Sequence, residues 1–101
     1  MRTTPFRQAE AEALAAVTPD ERARFDAAEA EEEARLQVAE LVYAARTRAG
    51  LTQTELARRM GTQQSVISAV ENGGRVPSVS TLWRIARALD LRLTIDMAAA
   101  S

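Results

Sequence analysis

Residues 50–73 carry closely spaced helix-boundary signals, and this spacing constrains the fold more than any other feature of the chain. Thr52 followed by Glu55 has the pattern of a capping box, in which a hydroxyl and a carboxylate satisfy free backbone N–H groups at a helix start. Gly50, Gly61 and Gly73 stand where the chain would leave a helix, because glycine adopts a positive φ without strain. The stretch therefore predicts two short helices joined by a tight turn at Gly61.

Apolar residues at helical spacing give each predicted helix one side that packs against the others. They are Leu56, Ala57 and Met60 in the first helix, Ile67 and Val70 in the second, and Leu82, Ile85, Ala86 and Leu89 in a last helix that begins at Ser78. The second helix opens with the polar residues Gln63, Gln64 and Ser65. Amide and hydroxyl groups in such a first turn can reach base edges in the major groove of DNA. The pattern is typical of a helix-turn-helix that reads DNA.

The same residues resemble the Cro/C1-type (XRE) helix-turn-helix family. The family pattern Ile-Ser-x-x-Glu-x-Gly stands at residues 67–73, and its Pro-Ser-x-x-Thr-Leu stands at residues 77–82. Gln53 occupies the position at which the family has a glutamine at the head of a helix. The resemblance covers residues 38–90 and departs at Ala69, where the family often has arginine or lysine. It implies an all-α, lambda-repressor-like helical bundle.

This resemblance also implies individual roles in DNA binding. The residue at the position of Gln64 reads bases, and the residue at the position of Gln53 grips phosphate and braces it. A glutamine amide can bond adenine N6 and N7 together, which agrees with the first role. We predict that the base-reading residues are Gln63, Gln64, Ser65 and Ser68, and that the phosphate-contacting residues are Thr52, Gln53, Asn72, Arg75 and Thr81.

The charge of the chain is unevenly distributed, although its net value is only −1. Residues 1–44 carry five arginines against ten acidic residues, a net −5, whereas residues 45–101 carry eight arginines against four acidic residues, a net +4. The basic half contains the motif, as DNA binding requires. Further candidates for phosphate contact are Arg46, Arg48, Arg58 and Arg59, while we expect Arg58, Arg84 and Arg87 mostly on solvated helix surface.

Residues 1–35 form a predicted acidic helical arm. Thr4-Pro5 and Thr18-Pro19 are both typical helix starts, with a capping residue followed by proline. They predict a short helix over residues 5–17 and a long one over residues 19–48, of which only the end, with Leu41, Val42 and Ala45, serves the core. The exposed apolar anchors of the arm are Phe6, Leu14 and Phe25. Such an arm suits docking on a basic partner, and a solvated acidic helix is the alternative interpretation.

Residues 91–97 alternate strictly between apolar and polar side chains, which predicts a short C-terminal β-strand. Because a lone strand leaves its backbone groups unpaired, we expect it to pair with the same strand of a second subunit. The dimer would then read a palindromic site. Trp83 covers either the dimer seam or its own subunit. The predicted dimerisation residues are Trp83, Leu91, Leu93, Ile95 and Met97.

An acidic arm (1–35), a helix-turn-helix domain (36–90) and an amphipathic tail (91–101) together resemble the HigA-type antitoxins. The run Leu91-Arg92-Leu93-Thr94-Ile95 is similar to the end of those proteins, although Asp90 replaces the usual glycine. The resemblance implies that the chain neutralises a basic, RelE-like (HigB-type) ribonuclease toxin through its arm and represses its own operon. Two alternatives remain open, namely a stand-alone phage-type repressor without a toxin partner and a protein-interaction adaptor that does not bind DNA.

The composition excludes several other classes of function. The chain contains no cysteine and no histidine, so disulfides, thiol catalysis and zinc sites of the usual kind are not expected. The carboxylates at Glu29 and Glu31–Glu33 form a solvated charge run rather than a catalytic set. We therefore predict a protein that is not an enzyme and needs no cofactor or metal. With no apolar run of membrane-spanning length and no signal peptide, we expect it in the cytoplasm.

Overall fold

The computed structural model describes residues 16–100 as helices and connecting segments. The helices in this range are α1 (Pro19–Arg48), α2 (Gln53–Met60), α3 (Gln64–Glu71) and α4 (Val79–Ala88). Their bounds agree with the predicted long helix and with the predicted helix-turn-helix. The short helix predicted over residues 5–17, with Phe6 and Leu14, lies almost wholly outside the described residues.

The chain divides into two units, Met1–Glu32 and Glu33–Ser101. In the first unit, α1 begins with a complete capping box. The Glu21 N–H donates to Thr18 Oγ1 at 3.2 Å, and the Thr18 N–H donates to Glu21 Oε2 at 3.1 Å. Residues 18–32 are exposed throughout, and the Phe25 side chain is 65% exposed. This part of α1 therefore holds its shape by local backbone interactions, without a core of its own.

The second unit is built around one small hydrophobic core. It consists of Val42, Leu56, Ala57, Met60, Ile67, Val70, Ile85 and Leu89. The apolar side predicted for each helix of the motif is thus confirmed. Leu41 was expected in this core but is 55% exposed, because α1 turns the neighbouring Val42 inward together with Ala39. Residues three apart share a helix side, whereas consecutive residues point about 100° apart.

Each of the four helices in the described range ends in the same way. The chain turns through a residue in the left-handed conformation, namely Gly50 (φ 73°), Gly61 (φ 69°), Gly73 (φ 77°) or Asp90 (φ 58°). The N–H of this residue and the N–H of the next both donate back to carbonyls of the last helical turn, at distances of 2.8–3.2 Å. This is the Schellman arrangement. Asp90 is the one residue of these four that is not glycine, and its Cβ crowds the backbone in a conformation that suits glycine.

Two arginines join the ends of α2 and α4 reciprocally. Arg59 Nη1 donates to the Ala88 carbonyl at 3.0 Å, and Arg84 Nη2 donates to the Met60 carbonyl at 2.7 Å. Each guanidinium thereby satisfies a carbonyl that the end of a helix leaves free. Arg84 is exposed, as expected for a residue on solvated helix surface, and it also donates to the end of α2. Arg59, a candidate for phosphate contact, is exposed as well and donates one hydrogen bond to the end of α4.

The prediction of a C-terminal β-strand is wrong, because residues 91–100 contain no strand. Alternating side chains can make one face of a strand, but a strand also needs a neighbour that pairs with its N–H and C=O groups. The described residues of the single chain contain no other strand. The tail instead follows the end of α4 without regular secondary structure.

The left-handed conformation of Asp90 generates a prediction for stability. Asp90→Gly should raise the free energy of unfolding by about 0.5–1 kcal/mol, since glycine removes the strain of Cβ at positive φ and offsets its greater entropy cost. Thermal unfolding should show a midpoint higher by a few degrees. Asp90→Ala is the matched control and should not stabilise, because it keeps Cβ. A lower midpoint for Asp90→Gly would contradict this account.

Candidate nucleic-acid interface

The first turn of α3 presents polar side chains to solvent, as the sequence predicted. Gln63, Gln64 and Ser65 are exposed, whereas Ser68, one turn further on, is half-buried. Gln63 occupies the position before the helix with an extended backbone, and its side chain makes no capping hydrogen bond. Its amide is therefore not committed to the helix end. Three of the four predicted base-reading residues thus form one exposed tip, and Ser68 lies behind it.

Gln64 does not project alone from this tip. Its Nε2 donates to Gln53 Oε1 at 2.6 Å, and Gln53 Nε2 in turn donates to Glu71 Oε1 at 3.2 Å. Gln53 therefore braces Gln64 from the head of α2. The Gln64 amide keeps one N–H and its carbonyl oxygen for a ligand. One donor beside one acceptor is the complement of adenine N7 and N6.

The brace ends in a buried ion pair that sequence reasoning missed. Arg46 Nε and Nη2 donate to the two Glu71 carboxylate oxygens at 2.7 and 2.8 Å, and Arg46 Nη1 donates to the Leu51 carbonyl at 2.8 Å. The two side chains are only 11% and 4% exposed. Arg46 was a candidate for phosphate contact, and that interpretation is wrong because its guanidinium faces the protein. The available signal was the helical spacing of Arg46 from Val42 and Ala39, which places it on the inward side of α1.

The pair shifts both titrations in the direction that keeps it charged. Hydrogen bonding to Glu71 raises the pKa of Arg46 above its ordinary value. Burial acts to raise the pKa of Glu71, but hydrogen bonds from Arg46 and Gln53 and the positive charge of Arg46 outweigh it and leave that pKa lowered. Glu71 is therefore an anion at neutral pH and remains a hydrogen-bond acceptor for Gln53.

Four of the five predicted phosphate-contacting residues fall into two groups, and Asn72 stands apart from both. Thr52 and Gln53 lie at the start of α2, where the Thr52 hydroxyl accepts from the Glu55 N–H at 3.0 Å and donates to Glu55 Oε1 at 3.1 Å. Arg75 and Thr81 line a separate cleft of about 420 Å³ between α3 and the start of α4. Asn72 accepts from the Gly74 N–H at 2.8 Å and keeps its amide N–H groups. The Thr52 hydroxyl is thus occupied, whereas Arg75 is exposed.

The predicted dimerisation residues are only partly brought together. Leu91 borders three adjoining clefts, of which one also contains Trp83, two contain Leu93 and two contain Leu41. Ile95 and Met97 line none of these clefts and are 60% and 94% exposed. Leu41, which the sequence placed in the core, joins this surface instead. Trp83 is half exposed and stacks with Arg87 of its own chain, at 5.6 Å from the Arg87 Cζ to the ring centroid.

Comparison with known proteins places this geometry in a family. Residues 42–95 match the family HTH_3, described as helix-turn-helix. Over 64 residues the chain is 47% identical to "Antitoxin HigA1" of Mycobacterium tuberculosis, which covers 63% of this chain and 42% of that protein. Among solved structures, "HipB-O4 20mer complex" has a TM-score of 0.55 at 32% identity and covers 64% of this chain and 92% of that one.

A second solved structure, "Structure of HipA-HipB-O2-O3 complex", has the same TM-score at 31% identity and covers 64% of this chain and 92% of that one. The chain spans less than half the length of HigA1. The matching family and these relatives are not enzymes, which agrees with the prediction. Among the described residues no helix is long and apolar enough to cross a membrane, and no group of three or more acidic, cysteine or histidine side chains could hold a metal ion.

The buried ion pair generates two predictions, one for the free energy of unfolding of the protein and one for the pH dependence of that free energy. Arg46→Met should cost about 3–5 kcal/mol in the free energy of unfolding, because it leaves the Glu71 carboxylate buried without its partner. The double variant Arg46→Met/Glu71→Leu should regain most of that loss, since two apolar side chains replace the pair. Urea denaturation of the three proteins measures both values.

Acid denaturation supplies the control. A carboxyl whose folded pKa is lowered stabilises the protein above its unfolded pKa, about 4.3, and loses that contribution as the pH falls through the folded pKa. The wild type should therefore lose stability below about pH 4 more steeply than the double variant. Parallel acid curves for the two proteins would refute the role of Glu71.

Proposed function

The chain belongs to the helix-turn-helix family HTH_3, and from this premise we propose that it is a DNA-binding antitoxin. It binds its own operator as a repressor and neutralises a RelE/HigB-like ribonuclease toxin. The observation that carries the DNA-binding part is the braced glutamine tip, in which Gln53 holds Gln64 at 2.6 Å on an exposed helix end. The likeness to HigA1, named as an antitoxin, supports the second part.

DNA reading by this tip relies on neutral groups. No arginine or lysine lies between Gln63 and Asn72, so the base-reading set has no charge of its own. Affinity must come from positive charge around the tip, and Arg75 in the loop after α3 is exposed for that purpose. Phosphate contacts fix the register, and base contacts supply specificity. The solved complexes of HipB support a DNA partner for a protein of this fold.

A homodimer would let two such tips read a palindromic operator. Helix-turn-helix dimers bind two half-sites about one helical turn apart, so the second copy sets the spacing. The surface around Leu91, with Trp83, Leu93 and Leu41, supplies exposed apolar area on the second unit of the chain. Ile95 and Met97 extend it along the tail. We assign this surface to contact with the second copy.

The acidic arm is the part that we assign to the toxin. Residues 19–33 carry seven acidic residues against Arg22 and Arg24, a net −5. Phe25 is the large apolar side chain that stands out from this charged stretch at 65% exposure. An exposed aromatic anchor in an acidic helix complements a basic protein that offers an apolar pocket. The structure of HipB with HipA supports a toxin partner for a relative. A protein that represses an operon acts in the cytoplasm.

Two variants distinguish base recognition from phosphate contact in a DNA-binding assay on the upstream promoter region. Gln64→Ala should reduce the preference for operator over unrelated DNA by about 1–3 kcal/mol, because the base loses its amide partner. Arg75→Ala should weaken binding to both DNAs and lower the slope of log K against log salt concentration by about 0.9, because one phosphate contact is lost.

Ser80→Ala is the matched control, since Ser80 is an exposed residue of α4 to which no DNA contact is assigned. If the wild-type protein shows no preference for promoter DNA over unrelated DNA, the repressor hypothesis is wrong and the adaptor interpretation is favoured. If the wild type shows this preference and Gln64→Ala leaves it unchanged, only the assignment of Gln64 as a base-reading residue is wrong.

Native mass spectrometry of the tagged chain from its source organism tests the two protein partners together. We expect an assembly of two copies with a small basic protein. Phe25→Ala should reduce capture of that protein and leave the dimer intact, because the change lies in the arm. Leu91→Asp should yield single copies of the chain that still bind the small basic protein, because a charge on the apolar surface around Leu91 opposes contact between the two copies.

The outcomes are separable. A dimer recovered without a basic partner would favour the stand-alone repressor over the antitoxin. A single copy bound to the basic protein would remove the homodimer and leave the antitoxin role in place.

A further inference from the structure

Tyr43 is an exposed aromatic residue for which neither the fold nor the predicted site accounts. It lies on α1, one turn before Arg46, and 55% of its surface is exposed. Its ring centroid is 5.4 Å from the Arg46 Cζ, which is a cation–π distance. In the described part of the chain no group forms a hydrogen bond with the Tyr43 hydroxyl. The ring is therefore held in place while its polar end is free.

The cation that stacks on the Tyr43 ring is Arg46, which also holds the Glu71 carboxylate that anchors Gln53. The Arg46 guanidinium binds the Leu51 carbonyl just before α2 and the Glu71 carboxylate at the end of α3. Tyr43 consequently lies beside the junction of α1, α2 and α3. Gln53, which bonds the same carboxylate at 3.2 Å, stands at this junction and holds Gln64. A ligand seated on the glutamine tip and on the head of α2 would lie beside this junction, where the Tyr43 ring stacks on Arg46.

The state of Arg46 decides which chemistry Tyr43 can perform. Two of its nitrogens donate to a carboxylate and the third donates to a carbonyl, so the Arg46 guanidinium is committed to contacts within the protein. Its charge is balanced by the Glu71 carboxylate, so the uncommitted polar group that a ligand meets at this point is the Tyr43 hydroxyl. A neutral hydroxyl on a rigid ring then donates a hydrogen bond at little entropic cost, because tyrosine has only two side-chain torsions to fix. Tyrosine hydroxyls are among the groups that bind DNA phosphates.

We propose that Tyr43 donates its hydroxyl to a phosphate oxygen of the DNA strand that passes the head of α2. The proposal rests on DNA binding by the glutamine tip. It makes Tyr43 a backbone contact that adds affinity without reading sequence. It also places the C-terminal end of α1 on the DNA, as a third element beside α2 and α3.

Tyr43→Phe tests this contact, since it removes one oxygen and keeps the ring on Arg46. Affinity for operator and for unrelated DNA should both fall about 10- to 150-fold, as for the loss of a hydrogen bond to a charged group. Their ratio should stay constant, in contrast to Gln64→Ala. The slope of log K against log salt concentration should also stay constant, in contrast to Arg75→Ala, because no charge is removed. Fluorescence anisotropy titrations over a range of salt measure all three quantities.

The thermal midpoint of Tyr43→Phe should equal that of the wild type, which shows that the stacking on Arg46 survives. Tyr43→Ala is the second variant, and it should lower the affinity for operator and for unrelated DNA at least as much as Tyr43→Phe does. Unchanged DNA affinity in both variants would overturn the proposal and assign the exposed ring to a protein partner instead. A fall for operator DNA alone would also overturn it, since that is the behaviour of a base contact. Wild-type protein without DNA binding would remove the proposed function itself, and this inference with it.

Discussion

The Arg46–Glu71 ion pair is the interaction on which the rest of this structure depends. It connects α1 to the end of α3 and, through the Leu51 carbonyl, to the start of α2. A buried pair repays its desolvation only when its geometry is good and its remaining atoms are bonded. Here the contact is bidentate, and the carboxylate also accepts from Gln53. The pair therefore holds three helices in one arrangement and gives the glutamine brace a fixed anchor.

The same arrangement divides the work of the interface. The tip of α3 carries amides and a hydroxyl, which can distinguish bases but add little affinity from a distance. Positive charge lies beside it on exposed Arg75, whereas the charge of Arg46 is balanced by Glu71. Under the proposed function, such a division assigns sequence preference to Gln64 and electrostatic attraction to the edges of the site. The proposed DNA binding is compatible with a net charge of −1, because the negative charge of the chain is concentrated in the arm.

The successes and failures of sequence interpretation have different physical causes. Helix ends were predicted well because caps and left-handed turns depend on a few adjacent residues, and Gly61 and the Thr18 capping box behave as those rules require. The C-terminal strand was wrong because alternation is local but pairing needs a partner. Leu41 was misplaced because one step along a helix changes the side that a residue faces.

The amino-acid sequence by itself determined the four described helices, the turn between α2 and α3, and the polar character of the α3 tip, since each follows from short-range backbone preferences and from the spacing of apolar residues. Only the tertiary structure decided what the charged residues do. Arg46 and Glu71 are 25 positions apart, and Arg59 meets a carbonyl 29 positions away. Whether a guanidinium faces solvent or a carboxylate depends on how helices pack, and local spacing carries no record of a partner so distant along the chain.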